Sequence, residues 1–230
     1  MSYLIRNASR SAFFAILTFM SWGASSAEDA AKVSGYLGPE VYAMLEEVEI
    51  ADGRKARRWV GPKLSFANYK SVLIEEVILF PEPEPGPQVS RETLDAVRDY
   101  LTAKLREKAS AVLNVASEPG PQVLRMQTAV TGVKITTEGM KAYEVLPVAA
   151  VFGGLKALAG ERDRDVLVFV EFKLSDSETG EMVGAAVRRV EGAKLKSTKD
   201  QLLLEHLRDN LDSVTDDAQS TMSHVLGENG

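Results

Sequence analysis

The chain has 230 residues and no cysteine, and its 27 basic and 33 acidic side chains give a net charge of −6. The absence of cysteine excludes disulfides, thiolate metal ligands and cysteine nucleophiles. The acidic balance argues against general binding to nucleic acid or anionic lipid. A chain of this length can bury a sizeable core without covalent cross-links, so one domain is expected.

The N-terminus has the pattern of a secretory signal. Two arginines precede an apolar run at residues 12–20, and small residues occupy 24–27. The run is too short for a membrane-spanning helix, which takes about 20 residues. We therefore predict a signal over residues 1–27, cut between Ala27 and Glu28, and a periplasmic protein; the alternative is a buried N-terminal helix. Without a cysteine at the cut, any outer-membrane association is expected not to depend on lipidation.

Residues 28–68 are predicted to form an N-terminal arm, with a short helix that begins near Pro39, where proline is tolerated. The arm contains a candidate basic patch made of Arg54, Lys55, Arg57 and Arg58. Such a run is typical of a surface that contacts nucleic acid or phospholipid. More often such a run is a solvated edge whose arginines pair with carboxylates elsewhere, and a net acidic protein has many carboxylates to offer.

Residues 69–226 are predicted to form the single α/β domain, followed by a disordered tail at 227–230. Residues 69–80 are almost entirely apolar, which predicts a central strand covered on both faces. Glu75 and Glu76 interrupt it. Neighbours on a strand point to opposite faces, so the two cannot act as one acid–base pair, although either could pair with a cation at the sheet rim.

An amphipathic helix should follow at Ser90, whose hydroxyl is a good N-cap and whose neighbours Val89 and Leu94 can form a hydrophobic staple. Its apolar stripe consists of Leu94, Val97, Leu101 and Leu105. The helix is expected to connect two neighbouring strands. A short strand near 111–117 and an alternating strand at 123–135 come next.

An apolar segment at 143–160 allows two interpretations. It is rich in alanine and glycine, and its larger side chains are Val148, Val151, Phe152, Leu155 and Leu158. One interpretation is a packed helix that crosses between the sheet edges. The other is a contact surface for a partner or a membrane, in which small residues allow close approach of another backbone.

Two further elements complete the predicted domain. Residues 165–192 alternate in polarity around a turn at Asp176–Gly180, which predicts a β-hairpin. Thr198 and Gln201 have capping-box spacing, which predicts the start of a long last helix. The apolar stripe of that helix recurs every three or four residues, at Leu204, Leu207, Leu211, Val214, Ala218, Met222 and Val225.

Known catalytic and metal-binding motifs are missing from the sequence. The two histidines, His206 and His224, are too far apart along a helix to share a metal. No nucleophile elbow, phosphate loop or zinc-protease motif occurs. We therefore predict no catalytic residue, no metal and no cofactor.

Several stretches resemble one bacterial family. They are SGYLG from Ser34, YKSVLIEEV from Tyr69, VLRMQTAVTGVK, LPVAAVFGGLKA and the hairpin VEFKLSDSETGEMVGAAVRR. Together they are similar to the bacterial lipoproteins grouped as domain of unknown function 3313, over roughly residues 33–225. The resemblance implies an envelope protein, and its motifs are structural, so it assigns no catalytic residue. The sequence departs from that family by lacking the lipidated cysteine.

These patterns predict an α/β sandwich, in which a mixed β-sheet of about five strands packs against two long amphipathic helices. The favoured function is a non-enzymatic binding or assembly module in the periplasm, whose partner is another envelope protein or component. The alternative is a hydrolase-like enzyme with a dispersed acid–base site around Glu75 or Glu76.

Overall fold

The computed structural model describes residues 35–50, 53–83, 85, 89–137, 164–191 and 201–228. Its helices are α1 (Pro39–Met44), α2 (Arg91–Ser110) and α3 (Arg208–Glu228). Its strands are β1 (Glu46–Glu49), β2 (Lys55–Val60), β3 (Ser71–Ile74), β4 (Ile78–Leu79), β5 (Asn114–Val115), β6 (Val123–Thr137), β7 (Arg164–Asp176) and β8 (Met182–Glu191).

The strands form one mixed sheet in the order β1-β2-β8-β7-β6-β3-β5, and β4 pairs with β6. The β1–β2–β8–β7–β6 part is antiparallel, whereas β3 and β4 run parallel to β6, and β5 runs parallel to β3. The predicted fold class is confirmed, but the sheet has eight strands rather than about five. Two of the additional strands, β1 and β2, lie within the predicted N-terminal arm.

The predicted hairpin is confirmed as β7 and β8, with Gly180 at positive φ in its turn. The predicted strand at 69–80 is instead divided into β3 and β4. Between them, the Val77 backbone N–H donates to Thr102 Oγ1 at 3.0 Å. β3 lies one strand from the sheet end, and its buried residues alternate, so the prediction of a central strand covered on both faces was wrong.

One face of the sheet packs against α2 and α3, and we call it the helical face. It carries Leu124, Met126 and Phe172, which are all buried. The predicted helix at Ser90 is confirmed, because the Ser90 hydroxyl accepts a hydrogen bond from the Thr93 backbone N–H at 3.2 Å. The predicted apolar stripe of α2 is buried. The helix connects β3 and β4 to β5, the parallel neighbour of β3.

The last helix begins later than predicted. Thr198 lies outside the described residues, but Gln201–Leu203 is not helical and α3 starts only at Arg208. A 3₁₀ turn at Leu204–His206 precedes it, and His206 Nδ1 accepts the Leu203 backbone N–H at 3.0 Å. Capping-box spacing gave the wrong start because it is a local pattern, whereas tertiary packing holds Leu202 buried in a non-helical conformation. At the other end α3 includes Gly227 and Glu228, which were predicted to be in the tail.

The opposite face of the sheet, which we call the N-terminal face, is covered by residues 35–45. Leu37, Tyr42 and Leu45 pack there against Ala185 of β8 in a second apolar cluster. Within the described ranges, none of the helices combines the length and apolar character that crossing a membrane requires.

A buried ion cluster joins α3 to the helical face. Asp217 of α3 pairs with Arg188 of β8 and, at 3.2 Å, with Arg54, which precedes β2. The side chains of Asp217 and Arg188 are 6% and 9% exposed, so water screens their attraction poorly. Removing one member of such a cluster leaves a buried charge without a charge of opposite sign beside it.

We predict that Asp217→Asn lowers the free energy of unfolding by about 3–5 kcal/mol, because Arg188 then stays buried without a carboxylate. The matched control is Asp216→Asn. Asp216 is the preceding residue of α3, is 58% exposed and pairs with Lys108. That change should cost less than about 1 kcal/mol. Urea unfolding of the two variants compares them, and equal losses would contradict a special role for Asp217.

Candidate functional site

The most unusual buried group is the carboxylate of Glu171, near the middle of β7. Glu171 pairs across the sheet with Ala129 of β6 and Val187 of β8. Its side chain points to the N-terminal face and is 0% exposed. A carboxylate this deep is costly unless hydrogen bonds replace its hydration.

The described contacts of Glu171 come from two directions. Its Oε2 atom accepts hydrogen bonds from the Tyr42 hydroxyl at 2.6 Å and from the Leu37 backbone N–H at 3.3 Å. Its Oε1 atom accepts one from the Thr131 hydroxyl at 2.6 Å. Glu171 therefore fastens the N-terminal residues 35–45 to the two central strands.

Burial raises the pKa of Glu171 above its ordinary value, while the hydrogen bonds from Thr131, Tyr42 and Leu37 partly oppose this shift. A raised carboxyl pKa often marks a catalytic acid. A catalytic acid must, however, reach the group that it protonates. Because Glu171 has no exposed surface, the geometry supports an anchor between layers rather than an acid catalyst.

A second polar group lies on the same face, next to Tyr36. Glu75 forms an ion pair with Arg125 and accepts a hydrogen bond from Gln127 Nε2 at 3.0 Å. The pKa of the Tyr36 hydroxyl is raised by burial, and then by the negative charges of Glu75 and Glu171. Tyr36 also makes an edge contact with the ring of Phe80. The Tyr36 hydroxyl therefore stays protonated, and its ring is part of the layer of residues 35–45 that covers the N-terminal face.

Glu75 and Glu76 point to opposite faces, as predicted. Glu75 contacts Arg125 of β6 on the N-terminal face, whereas Glu76 pairs with Arg98 of α2 at 3.1 Å. The structure does not bring them together. Each carboxylate neutralises a different arginine, which fits the predicted pairing at the sheet rim.

The candidate basic patch is divided by strand alternation. Arg54 and Arg58 lie on the helical side of the sheet, where Arg54 pairs with Asp217. Lys55 and Arg57 lie on the other side. Lys55 pairs with Glu47 at 2.6 Å, and Arg57 donates to the Tyr42 carbonyl at 3.0 Å. The four side chains do not form one surface, and the solvated-edge interpretation, in which the cations pair with carboxylates, is the one that the contacts of Arg54 and Lys55 fit.

The candidate contact residues Val148, Val151, Phe152, Leu155 and Leu158 lie outside the described residues. The strands on either side of them are described. β6 and β7 stay paired from Leu124 opposite Asp176 to Thr137 opposite Arg164. The connection at 138–163 therefore leaves and re-enters the sheet at the same place.

Two small apolar cavities, of about 50 and 60 Å³, lie between α3 and the helical face. Substrate pockets usually enclose about 300–1,000 Å³. A larger hollow of about 530 Å³ lies beside Arg54 and the aspartates of α3, but it is open to solvent. Within the described ranges, no three acidic or histidine side chains are grouped to hold a metal ion.

Sequence reasoning missed the role of Glu171. In the alternating pattern of residues 165–192, Glu171 falls on the same face as Leu167 and Phe169, so a charged residue among apolar neighbours was the available signal. Two of its partners, Leu37 and Tyr42, however, lie about 130 positions earlier in the chain. No local spacing rule connects such distant residues.

Comparisons with known proteins give the following matches. The family model described as "Protein of unknown function (DUF3313)" matches residues 32–218. "Uncharacterized lipoprotein YdcL" from Escherichia coli (strain K12) is 31% identical over 202 residues, which cover 88% of this chain and 90% of that protein.

Two solved structures are more distantly similar. A PelC dodecamer from Paraburkholderia phytofirmans is 16% identical with a TM-score of 0.34, covering 75% of this chain and 96% of that one. A minor lipoprotein from Acinetobacter baumannii is 10% identical with a TM-score of 0.38, covering 68% and 92%. At these scores neither likeness carries an argument about function.

We predict a pH dependence of stability from Glu171. Its raised pKa means that the folded state binds the proton more tightly than the unfolded state. The resulting stabilisation is fully present below about pH 4.5 and is lost as pH rises through the folded pKa. The free energy of unfolding, compared with that of Glu171→Gln, should therefore fall as pH rises over this window.

Urea unfolding at a series of pH values measures this difference. Glu178→Gln, in the exposed turn between β7 and β8, is the matched control and should keep the wild-type pH profile. Parallel profiles for the wild type and Glu171→Gln would show that Glu171 does not titrate differently on folding.

Proposed function

The chain belongs to the DUF3313 family, whose model matches most of its length, and we propose that it is an exported envelope protein that binds another envelope component. Its N-terminal residues have the pattern of a secretory signal. Its curated relative in Escherichia coli is named a lipoprotein, a class of envelope protein. In this proposal the protein acts by binding, without chemical conversion of its partner.

The observation that carries the proposal is the continuous pairing of β6 with β7. Their pairing extends to Thr137 and Arg164, and the 138–163 connection joins those two ends. The connection contains the five apolar candidates Val148, Val151, Phe152, Leu155 and Leu158. We assign them the contact with the partner, since a paired base holds both ends of the segment at one position on the molecule.

The contacts of three carboxylates also support binding rather than catalysis. Glu75 and Glu76, around which an acid–base site was considered, are each paired with an arginine. Glu171 is enclosed under residues 35–45. All three carboxylates take part in contacts within the fold, so we assign none of them to a substrate.

We predict that replacing Phe152 and Leu155 with Ser abolishes binding to the partner and leaves the melting temperature unchanged. An exposed contact surface loses only its partner. If the two residues were core, each change should cost about 2–5 kcal/mol and the melting temperature should fall sharply. Leu101→Ser, at a fully buried position of α2, is the control for loss of core packing, and its melting temperature should fall sharply.

Site-specific photo-crosslinking in intact cells measures the binding. A crosslinker at position 152 should capture an envelope component, while one at Thr179, in the exposed hairpin turn, should not. Equal capture from both positions, or a large drop in the melting temperature of the double variant, would retire the assigned surface.

Export has its own test. We predict that the protein recovered from the periplasm of a Gram-negative host begins at Glu28, because small residues precede the predicted cut. Ala27→Arg should block the cut and leave the longer chain. Intact mass measurement after cell fractionation distinguishes the two, and an uncut cytoplasmic wild type would contradict export.

A further inference from the structure

The two apolar cavities under α3 adjoin each other. Both are lined by Phe172, Leu174, Ala186, Thr221 and Met222. Protein interiors are normally packed with few voids larger than a water molecule. Two such voids with common walls therefore form one apolar cleft between α3 and the sheet.

The cleft exists because a small residue of β8, Ala186, faces α3 there. At Gly184 the space is already filled, because an added Cβ atom would lie 3.2 Å from side-chain atoms of both Leu174 and Leu64. Two residues further along the same face, Ala186 contributes only a methyl group. The space above Ala186 is thus left open to both cavities.

Arg58, a cation at this cleft, has no partner within the part of the chain that the structure describes. Arg58 of β2 pairs in the backbone with Ala186 and lines one of the cavities. Its side chain is partly buried, and within the described ranges its guanidinium makes no hydrogen bond or ion pair. Glu46, opposite Arg58 on β1, is exposed and forms no ion pair with it.

The contrast with Arg54 shows what is missing. Arg54 lies on the same face of β2 as Arg58, and α3 supplies it with Asp217. One helical turn later α3 reaches the cleft with Thr221, which carries no charge. A guanidinium in a partly apolar setting is stabilised by a carboxylate, which it can bind with two parallel hydrogen bonds.

We propose that this cleft binds a single-chain anionic amphiphile, namely a fatty acid, with its alkyl chain in the cavities and its carboxylate on Arg58. Apart from Arg58, Thr221 and the Arg188–Asp217 pair, the lining residues are apolar and suit the chain. Cavities of about 50 and 60 Å³ admit only a short run of methylene groups, so the rest of the chain lies along the open side of the cleft, and a two-chain lipid does not fit. The described lining residues differ from those assigned to the partner surface, so variants can test the two sites separately.

Calorimetric titration of the full chain with octanoate, below its micellar concentration, tests the site. One octanoate should bind per chain, whereas acetate, which lacks the chain, should not bind. Arg58→Gln should weaken octanoate about tenfold, the loss expected for a hydrogen-bonded charge pair. Lys55→Gln, which changes a cation on the opposite face of β2, should have no effect.

Filling the cleft is the second arm of the test. Ala186→Met should fill the cavities, abolish octanoate binding, and keep or raise the melting temperature. If this variant lowers the melting temperature, Thr221→Leu fills the cleft from α3 instead and should also abolish binding. Octyl glucoside, which has the same chain without the charge, should bind more weakly than octanoate and respond to the filling variant but not to Arg58→Gln. Octanoate affinity that is unchanged by Arg58→Gln, or no binding of octanoate at all, would overturn the assignment.

Discussion

The antiparallel pairing of β6 with β7 is the constraint on which the rest of the structure depends. β8, β2 and β1 join the sheet in turn beyond β7, while β3, β4 and β5 join through β6. The pairing also fixes which side chains share a face. Val130 and Val170 meet within the core of the helical face, and the neighbouring residue Glu171 is thereby turned to the N-terminal face. A slip of one residue in this register would exchange the faces.

Each covering layer is attached to the sheet by apolar packing and by one buried carboxylate. On the N-terminal face Glu171 accepts hydrogen bonds from residues 37 and 42, next to the cluster of Leu37, Tyr42 and Leu45. On the helical face Asp217 brings α3 to Arg188 and Arg54. Apolar packing tolerates sliding more readily than hydrogen bonding does. We infer that the carboxylates fix the position of each layer, a role in specificity that buried ionic groups take in some proteins.

The elements predicted well from the sequence are those whose signals are local. Alternation identified β6 and the β7–β8 hairpin, and the Ser90 cap identified the start of α2. The predicted short strand near 111–117 is confirmed as β5. The short strands β1 and β2 were not predicted, because they depend on pairing with each other and with β8, and their own residues say little. The start of α3 was misplaced because the capping-box spacing of Thr198 and Gln201 is a local pattern, whereas Leu202 is buried in a non-helical conformation. The site-level contacts of Glu171 and Arg58 depend on distant elements and could not be predicted.

Charge balance under α3 links the fold to the inferred ligand. Three arginines, Arg54, Arg58 and Arg188, lie on the side of the sheet that faces this helix. Asp217 supplies a single carboxylate to the first and last of them. Two other aspartates of α3 are engaged elsewhere: Asp212 accepts from the Tyr100 hydroxyl at 2.5 Å, and Asp216 pairs with Lys108. Arg58 thus lies beside an apolar cleft without a carboxylate from the described residues of α3. Since an uncompensated cation in a partly buried setting is costly, a bound carboxylate there would supply the missing charge without any change in the fold.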